Sequence, residues 1–154
     1  MLTKKITAMF ILVVEDNHFY ATIILEMLKT AGYDNVKHID NGLECLVQVY
    51  EDTVPDLIIL DQQLGMVNGV EVLQKIRAYK PNLRVIFMSE QKSVKLAVQS
   101  IKQGALDYIK KDENAFENLL PLLKKIEAEI KNKSTDTPVK KVFSGIKKFF
   151  MDND

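Results

Sequence analysis

The chain has 154 residues, which suits one domain with a short appendage. Hydrophobic residues make up 47% and charged residues 27%, and Lys plus Arg equals Asp plus Glu at 21 each, so no global charge argues for nucleic acid. The single cysteine, Cys45, excludes an internal disulfide framework and a four-ligand zinc site.

No apolar run approaches the roughly 18 residues of a spanning helix. The opening "MLTKKITAMFILVVED" has a lysine pair and an apolar stretch, as a signal peptide would. It runs straight into Glu15-Asp16 with no small-residue cleavage site. A first buried strand in a cytoplasmic protein is the expectation.

In chain order, "MFILVVE" (9–15) is a continuous apolar run, the pattern of a strand buried on both faces. Residues 17–31 place Tyr20, Ile24, Leu25 and Leu28 at helical spacing, with Gly32 as the stop. "NVKHI" (35–39) is a short strand, and residues 42–51 carry Leu43, Leu46, Val47 and Tyr50 on a second helix, where Cys45 is read as a buried, inert thiol. "DLIIL" (56–60) is a third strand. A helix over 68–79 turns Val70, Leu73 and Ile76 inward and breaks before Pro81. "RVIFMS" (84–89) is the fourth strand. Residues 92–103 form a helix with Val94, Leu96, Val98 and Ile101, closed by Gly104. "LDYI" (106–109) is the fifth strand and 115–130 the fifth helix, with an Asn114/Glu117 capping box and Pro121 as a kink or a delayed start.

Five β–α units in strict alternation imply an α/β fold, a doubly wound parallel sheet with helices on both faces. Right-handed crossovers leave few topologies, and the flavodoxin-like order 2-1-3-4-5 is favoured. Its crevice lies at the carboxyl ends of strands 1 and 3. Residues 1–131 form this domain, and 132–154 a polar linker and tail. Within the tail, Thr137-Pro138 is a helix start. Val139, Val142, Phe143, Ile146, Phe149 and Phe150 fall within an arc of roughly 120°, away from Lys140, Lys141, Lys147 and Lys148. This basic amphipathic helix is short enough to need a surface: its own domain, a twin subunit, a partner protein or an anionic membrane. A protein surface is favoured over the membrane, because one short helix is a weak anchor.

Strand 1 ends at Glu15-Asp16 and strand 3 at Asp61, so the sheet order brings these carboxylates into one crevice. Like charges at close range need a cation or raised pKa values. Oxygen-only ligands on a partly open rim suit Mg²⁺. Strand 4 ends at Ser89, and Lys110-Lys111 follow strand 5. Acids, a hydroxyl and a lysine around a metal make a site for a phosphoryl group, and Asp is an established covalent acceptor.

The segments "ILVVEDN" (11–17), "DLIILD" with Gly69, "VIFMS" (85–89) and "GALDYIKKD" (104–112) resemble the receiver domain of two-component response regulators, in the single-domain, chemotaxis-regulator-like form. The resemblance covers about residues 9–130. It implies an acidic metal-binding pair at Glu15 and Asp16, a phosphoacceptor at Asp61 and a metal-ligating backbone carbonyl at Gln63. Ser89 matches the switch hydroxyl, Lys111 the invariant lysine and Tyr108 the switch aromatic. Lys110 falls at a variable, outward position.

The resemblance further implies a phosphoryl donor that is a histidine kinase or phosphotransfer protein. A downstream protein would bind the face of helix 4, strand 5 and helix 5, or the tail. A homodimer is a further expectation, and nucleic acid is not expected. The chain would not be a dedicated enzyme, although Mg²⁺-dependent self-phosphorylation and slow autodephosphorylation are implied.

The sequence departs from the family pattern at three positions. Glu90 stands where a small residue usually follows the switch hydroxyl, so its carboxylate would repel or crowd phosphate. Asp112 stands where a proline in a cis bond usually follows the lysine, so a trans bond is expected. Gly65 replaces a common proline and loosens that loop. Glu90 and Asp112 favour an alternative reading, a phosphorylation-independent receiver-like interaction module; Asp61, Ser89 and Lys111 oppose it. A flavin-binding flavodoxin is disfavoured, because "EDNHF" stands where a Ser/Thr/Gly-rich phosphate loop would be.

Overall fold

The computed structural model describes residues 9–51 and 53–135. The expected tail helix over 138–150 lies outside them. The chain divides into two units, one running through Asn118 and the other starting at Leu119.

The first unit holds a five-stranded parallel sheet, β1 (Ile11–Val14), β2 (Val36–Ile39), β3 (Leu57–Asp61), β6 (Arg84–Ser89) and β7 (Asp107–Lys110), in the order β2-β1-β3-β6-β7. This is the expected flavodoxin-like order 2-1-3-4-5 once a short two-stranded hairpin, β4 (Gln63–Leu64) with β5 (Val67–Asn68), is set aside. The helices are α1 (His18–Thr30), α2 (Gly42–Tyr50), α3 (Gly69–Tyr79), α4 (Val94–Lys102) and α5 (Ala115–Thr135).

Strand side chains alternate between faces, and both faces here are apolar. Leu12, Val14, Ile58, Leu60, Val85 and Phe87 share one buried cluster with Cys45, Leu46 and Val49 of α2 and Val72, Leu73 and Ile76 of α3. The intervening residues Ile11, Val13, Leu57, Ile59, Ile86 and Met88 are also buried, on the opposite face, where α1 turns Ala21, Ile24 and Leu28 inward.

Asn17, Asn41, Asn68 and Ser93 cap α1 to α4, each accepting amide N–H groups from the first turn. Two helices present faces that periodicity did not single out. In α2, Leu43, Val47 and Tyr50 are exposed, while Gly42, Cys45, Leu46, Gln48 and Val49 are buried. That helix is apolar nearly all round, so spacing alone could not choose the inward side. In α4, Val94, Val98 and Ile101 are exposed, and Ser100 is the buried residue.

In the second unit α5 continues past the expected end at Ile130 to Thr135, so the polar stretch 131–135 is helix rather than linker. Lysine is a good helix former, and Lys131 pairs with Glu127 one turn earlier at 3.0 Å. Pro121 lies inside the helix, where it has no N–H to give to the carbonyl of residue 117. Leu119, Leu123 and Ile126 are its buried stripe.

Candidate functional site: an acidic cavity at the strand ends

Register brings the carboxylates together. Val14 pairs with Leu60, so the next residues, Glu15 just past β1 and Asp61 at the end of β3, lie side by side. Asp61 pairs with Met88 and Ser89 with Lys110, so Ser89 and Lys111 reach the same rim from the next two strands. One carboxylate oxygen from each of Glu15, Asp16 and Asp61 lies within 4.8 Å of the others. These residues, with Ser89, Lys111 and Gln63, line a cavity of about 500 Å³.

Lys111 is the ammonium of the site. Its Nζ lies 2.5 Å from Glu15 Oε2 and 3.3 Å from Asp61 Oδ1, and all three side chains are almost fully buried. The same ammonium sits 4.8 Å from the centre of the Tyr20 ring, whose face favours a cation. The Lys111 amide donates to the Ser89 carbonyl at 2.8 Å. Among the described residues no peptide bond is cis, so the bond from Lys111 to Asp112 is trans as the sequence implied, and the lysine still reaches both acids.

Burial raises the Glu15 carboxyl to about 7; the Asp61 charge adds to the rise, while the Lys111 ammonium and the Asn17 amide oppose it. Burial also raises Asp61, against Lys111 and the backbone N–H of Gln63. One ammonium does not neutralise this set of acids. The site is short of positive charge, and its donors are hard oxygens on an open cavity. That combination fits Mg²⁺, with Glu15, Asp16 and Asp61 as the carboxylate donors.

Glu15 is buried and Asp16 exposed, so the acidic pair has one inner and one outer member. Glu90 is exposed and lines the cavity mouth with Gln91. Tyr108 does not enter the cavity: its hydroxyl donates to the Gln91 carbonyl at 2.9 Å. The Gln91 amide in turn donates to Ser89 Oγ at 3.2 Å, so the backbone of Gln91 connects Ser89 with Tyr108. Lys110 lies outside the cavity lining, as expected.

Several participants were not legible as such. Asn17 caps α1 with its side chain and donates its amide to Glu15 Oε1 at 3.2 Å; its place after Glu15-Asp16 and before a helical run was the available signal. Gln91 acts through its backbone, which leaves no mark on residue type. His38 places Nε2 2.8 Å from the Glu15 carbonyl and packs edge-on to His18, so these histidines flank the acidic turn. Gly69 is a position of close approach. A Cβ there would lie 2.3 Å from the Asp61 carbonyl oxygen and 2.8 Å from the Phe87 ring.

A doubly wound sheet that gathers acids and a lysine where its strand order reverses defines a receiver-type signalling module. The chain belongs to that family: residues 11–124 match the response regulator receiver domain. It is 37% identical over 128 residues to the transcriptional regulatory protein ZraR of Escherichia coli K12, covering 83% of this chain but 28% of ZraR. It is 35% identical over 101 residues to the chemotaxis protein CheY of Listeria monocytogenes, covering 66% of this chain and 84% of that protein.

Solved structures agree. A CheY-like receiver domain protein of Methanospirillum hungatei is 25% identical with a TM-score of 0.71, covering 82% of this chain and 99% of that one. The receiver domain of NtrX from Brucella abortus is 26% identical with a TM-score of 0.67, covering 76% and 98%. Receiver domains of this family take phosphoryl groups from histidine kinases and contact downstream targets, and Mg²⁺ binding is typical of them.

Proposed function

We propose that this receiver accepts a phosphoryl group on Asp61 from a histidine kinase or phosphotransfer protein and signals by protein contact. The observation that carries the reading is Lys111 Nζ at 3.3 Å from Asp61 Oδ1 inside the acidic cavity. In the transfer, an Asp61 carboxylate oxygen attacks phosphorus, the donor's N–P bond breaks, and the departing imidazole nitrogen takes up a proton. Lys111 offers its ammonium to a phosphoryl oxygen, and the Ser89 hydroxyl offers a hydrogen bond to another. Mg²⁺, held by Glu15, Asp16, Asp61 and the backbone carbonyl of Gln63, supplies charge neutralisation when bound.

Ser89 turning toward the phosphoryl would break its bond from the Gln91 amide, and with it the link to Tyr108. The altered surface would be that of α4, β7 and the turn between them, where Val94, Val98, Ile101 and Leu106 are exposed. A cytoplasmic location is part of this reading; among the described residues no helix is long and apolar enough to cross a membrane.

Incubation with Mg²⁺ and a small phosphodonor, followed by intact-mass measurement, tests the proposal. One added phosphoryl is expected, absent in Asp61→Asn and without Mg²⁺; an adduct that persists in Asp61→Asn overturns it. The second reading, an interaction module independent of phosphorylation, draws on Glu90 at the cavity mouth. It gains if the wild-type mass never changes while partner binding persists.

A further inference from the structure

The exposed face of α2 plays no part in the acidic site. Leu43, Val47 and Tyr50 are 62%, 56% and 48% exposed and fall within an arc of roughly 60° along the helix. Tyr79, 51% exposed at the end of α3, extends the stripe, its ring edge-on to Tyr50 at 4.5 Å. Large apolar side chains gathered this way mark an interaction surface. The stripe has a charged border: Glu44 and Glu51 are exposed and lie about 90° round from its centre, on the side away from α3. The other border carries Lys80, whose Nζ is 5.3 Å from the Tyr79 ring.

The sequence holds a matching counterpart. On a helical projection of 138–150 the apolar residues would fall in one arc, with Lys140 and Lys147 roughly 100–120° round from its centre in the same rotational sense. Glu44 and Glu51 are seven residues apart, as are Lys140 and Lys147, about 10.5 Å along a helix in both cases. When two helices meet stripe to stripe, only the antiparallel orientation brings borders of the same sense together. Lys140 then faces Glu51 and Lys147 faces Glu44. The parallel orientation turns the lysine border toward Lys80.

We propose that the α2 face binds segment 138–150 of a second copy of this chain, as an antiparallel amphipathic helix, so that receivers associate through α2. The apolar stripes supply the contact, and the two Glu–Lys pairs select orientation and partner. The proposal does not depend on phosphoryl acceptance by Asp61.

Sedimentation velocity on the full chain tests it, with circular dichroism as the check on folding. Wild type is expected to self-associate. Val47→Glu, the pair Glu44→Lys with Glu51→Lys, and the pair Lys140→Glu with Lys147→Glu should each weaken association on the order of ten-fold or more. The two charge-reversed proteins, each weak alone, should associate when mixed, because each then meets the opposite charge on its partner. Val98→Glu, on the exposed face of α4, should leave association unchanged. A monomeric wild type overturns the proposal, as does association lost with Val98→Glu and kept with Val47→Glu. A mixture of the charge-reversed proteins that stays dissociated also overturns it.

Discussion

Lys111 Nζ lies 2.5 Å from Glu15 Oε2 and bridges on to Asp61 at 3.3 Å, so a single buried ammonium holds the ends of β1 and β3 together. Removing it leaves buried carboxylates without their partner. Lys111→Met is expected to lower stability by about 3 kcal/mol at neutral pH without divalent ions, the lower end for breaking a buried pair, because Glu15 can take up a proton. Urea denaturation measures this, and added Mg²⁺ should restore part of the loss.

The raised Glu15 carboxyl gives stability an unusual pH trend. An ordinary Glu ionises near 4.5, whereas the folded protein holds the Glu15 proton to about 7. Between those values the folded state binds more protons than the unfolded state, so stability falls as pH rises. The stabilisation is complete below pH 4.5 and lost as pH passes about 7, amounting to up to about 3 kcal/mol. Asp61, also raised, acts in the same direction. Denaturation series without divalent ions should show the decline across this window. Mg²⁺ should flatten it, since the cation favours the ionised acids.

Glu90 should slow arrival of a phosphoryl donor. Its carboxylate is exposed at the mouth of a cavity already rich in acids. Removing a unit charge near a solvated anion is worth about 1 kcal/mol. Glu90→Ala should therefore react with a small phosphodonor roughly fivefold faster at fixed Mg²⁺. Equal rates would mean that the side chain does not meet the incoming phosphate.

That Asp61, Ser89 and Lys111 come together was legible because polar residues stand where apolar runs stop, and a parallel sheet lines those stops along one edge. Tyr108 was legible by residue but not by placement: its hydroxyl bonds a backbone carbonyl outside the cavity. The hairpin from Gln63 to Asn68 leaves no sequence signal because its two-residue strands are too short to show alternation. The inward face of α2 could not be chosen, since Leu43 and Leu46 are equally apolar and only packing distinguishes them. The end of α5 is not marked by residue type, since Lys131 and Lys133 suit a polar linker as well as a helix, and the Lys131–Glu127 ion pair forms only in the helix.

Gly69→Ala should disturb the Asp61 loop. The new methyl would need the space of a backbone oxygen and a buried ring, neither of which yields easily. Overpacking of this kind typically costs about 1–3 kcal/mol. Denaturation should show that loss, and phosphoryl uptake should fall with it because the displaced atom belongs to Asp61 itself.

Tyr108→Phe deletes the hydroxyl that bonds Gln91 and leaves the cavity lining intact. The cost is about 1 kcal/mol. Phosphoryl uptake from a small donor should stay near wild type, while the Gln91 amide should exchange its hydrogen faster, as read by mass spectrometry.

The Tyr20 ring beneath the Lys111 ammonium has a practical corollary. The chain contains five tyrosines and no tryptophan, so no indole masks tyrosine emission in the near ultraviolet. A cation 4.8 Å from the ring centre perturbs that fluorophore. Any event that draws the ammonium away should alter the light Tyr20 emits, giving the acidic cavity an optical reporter with no added label.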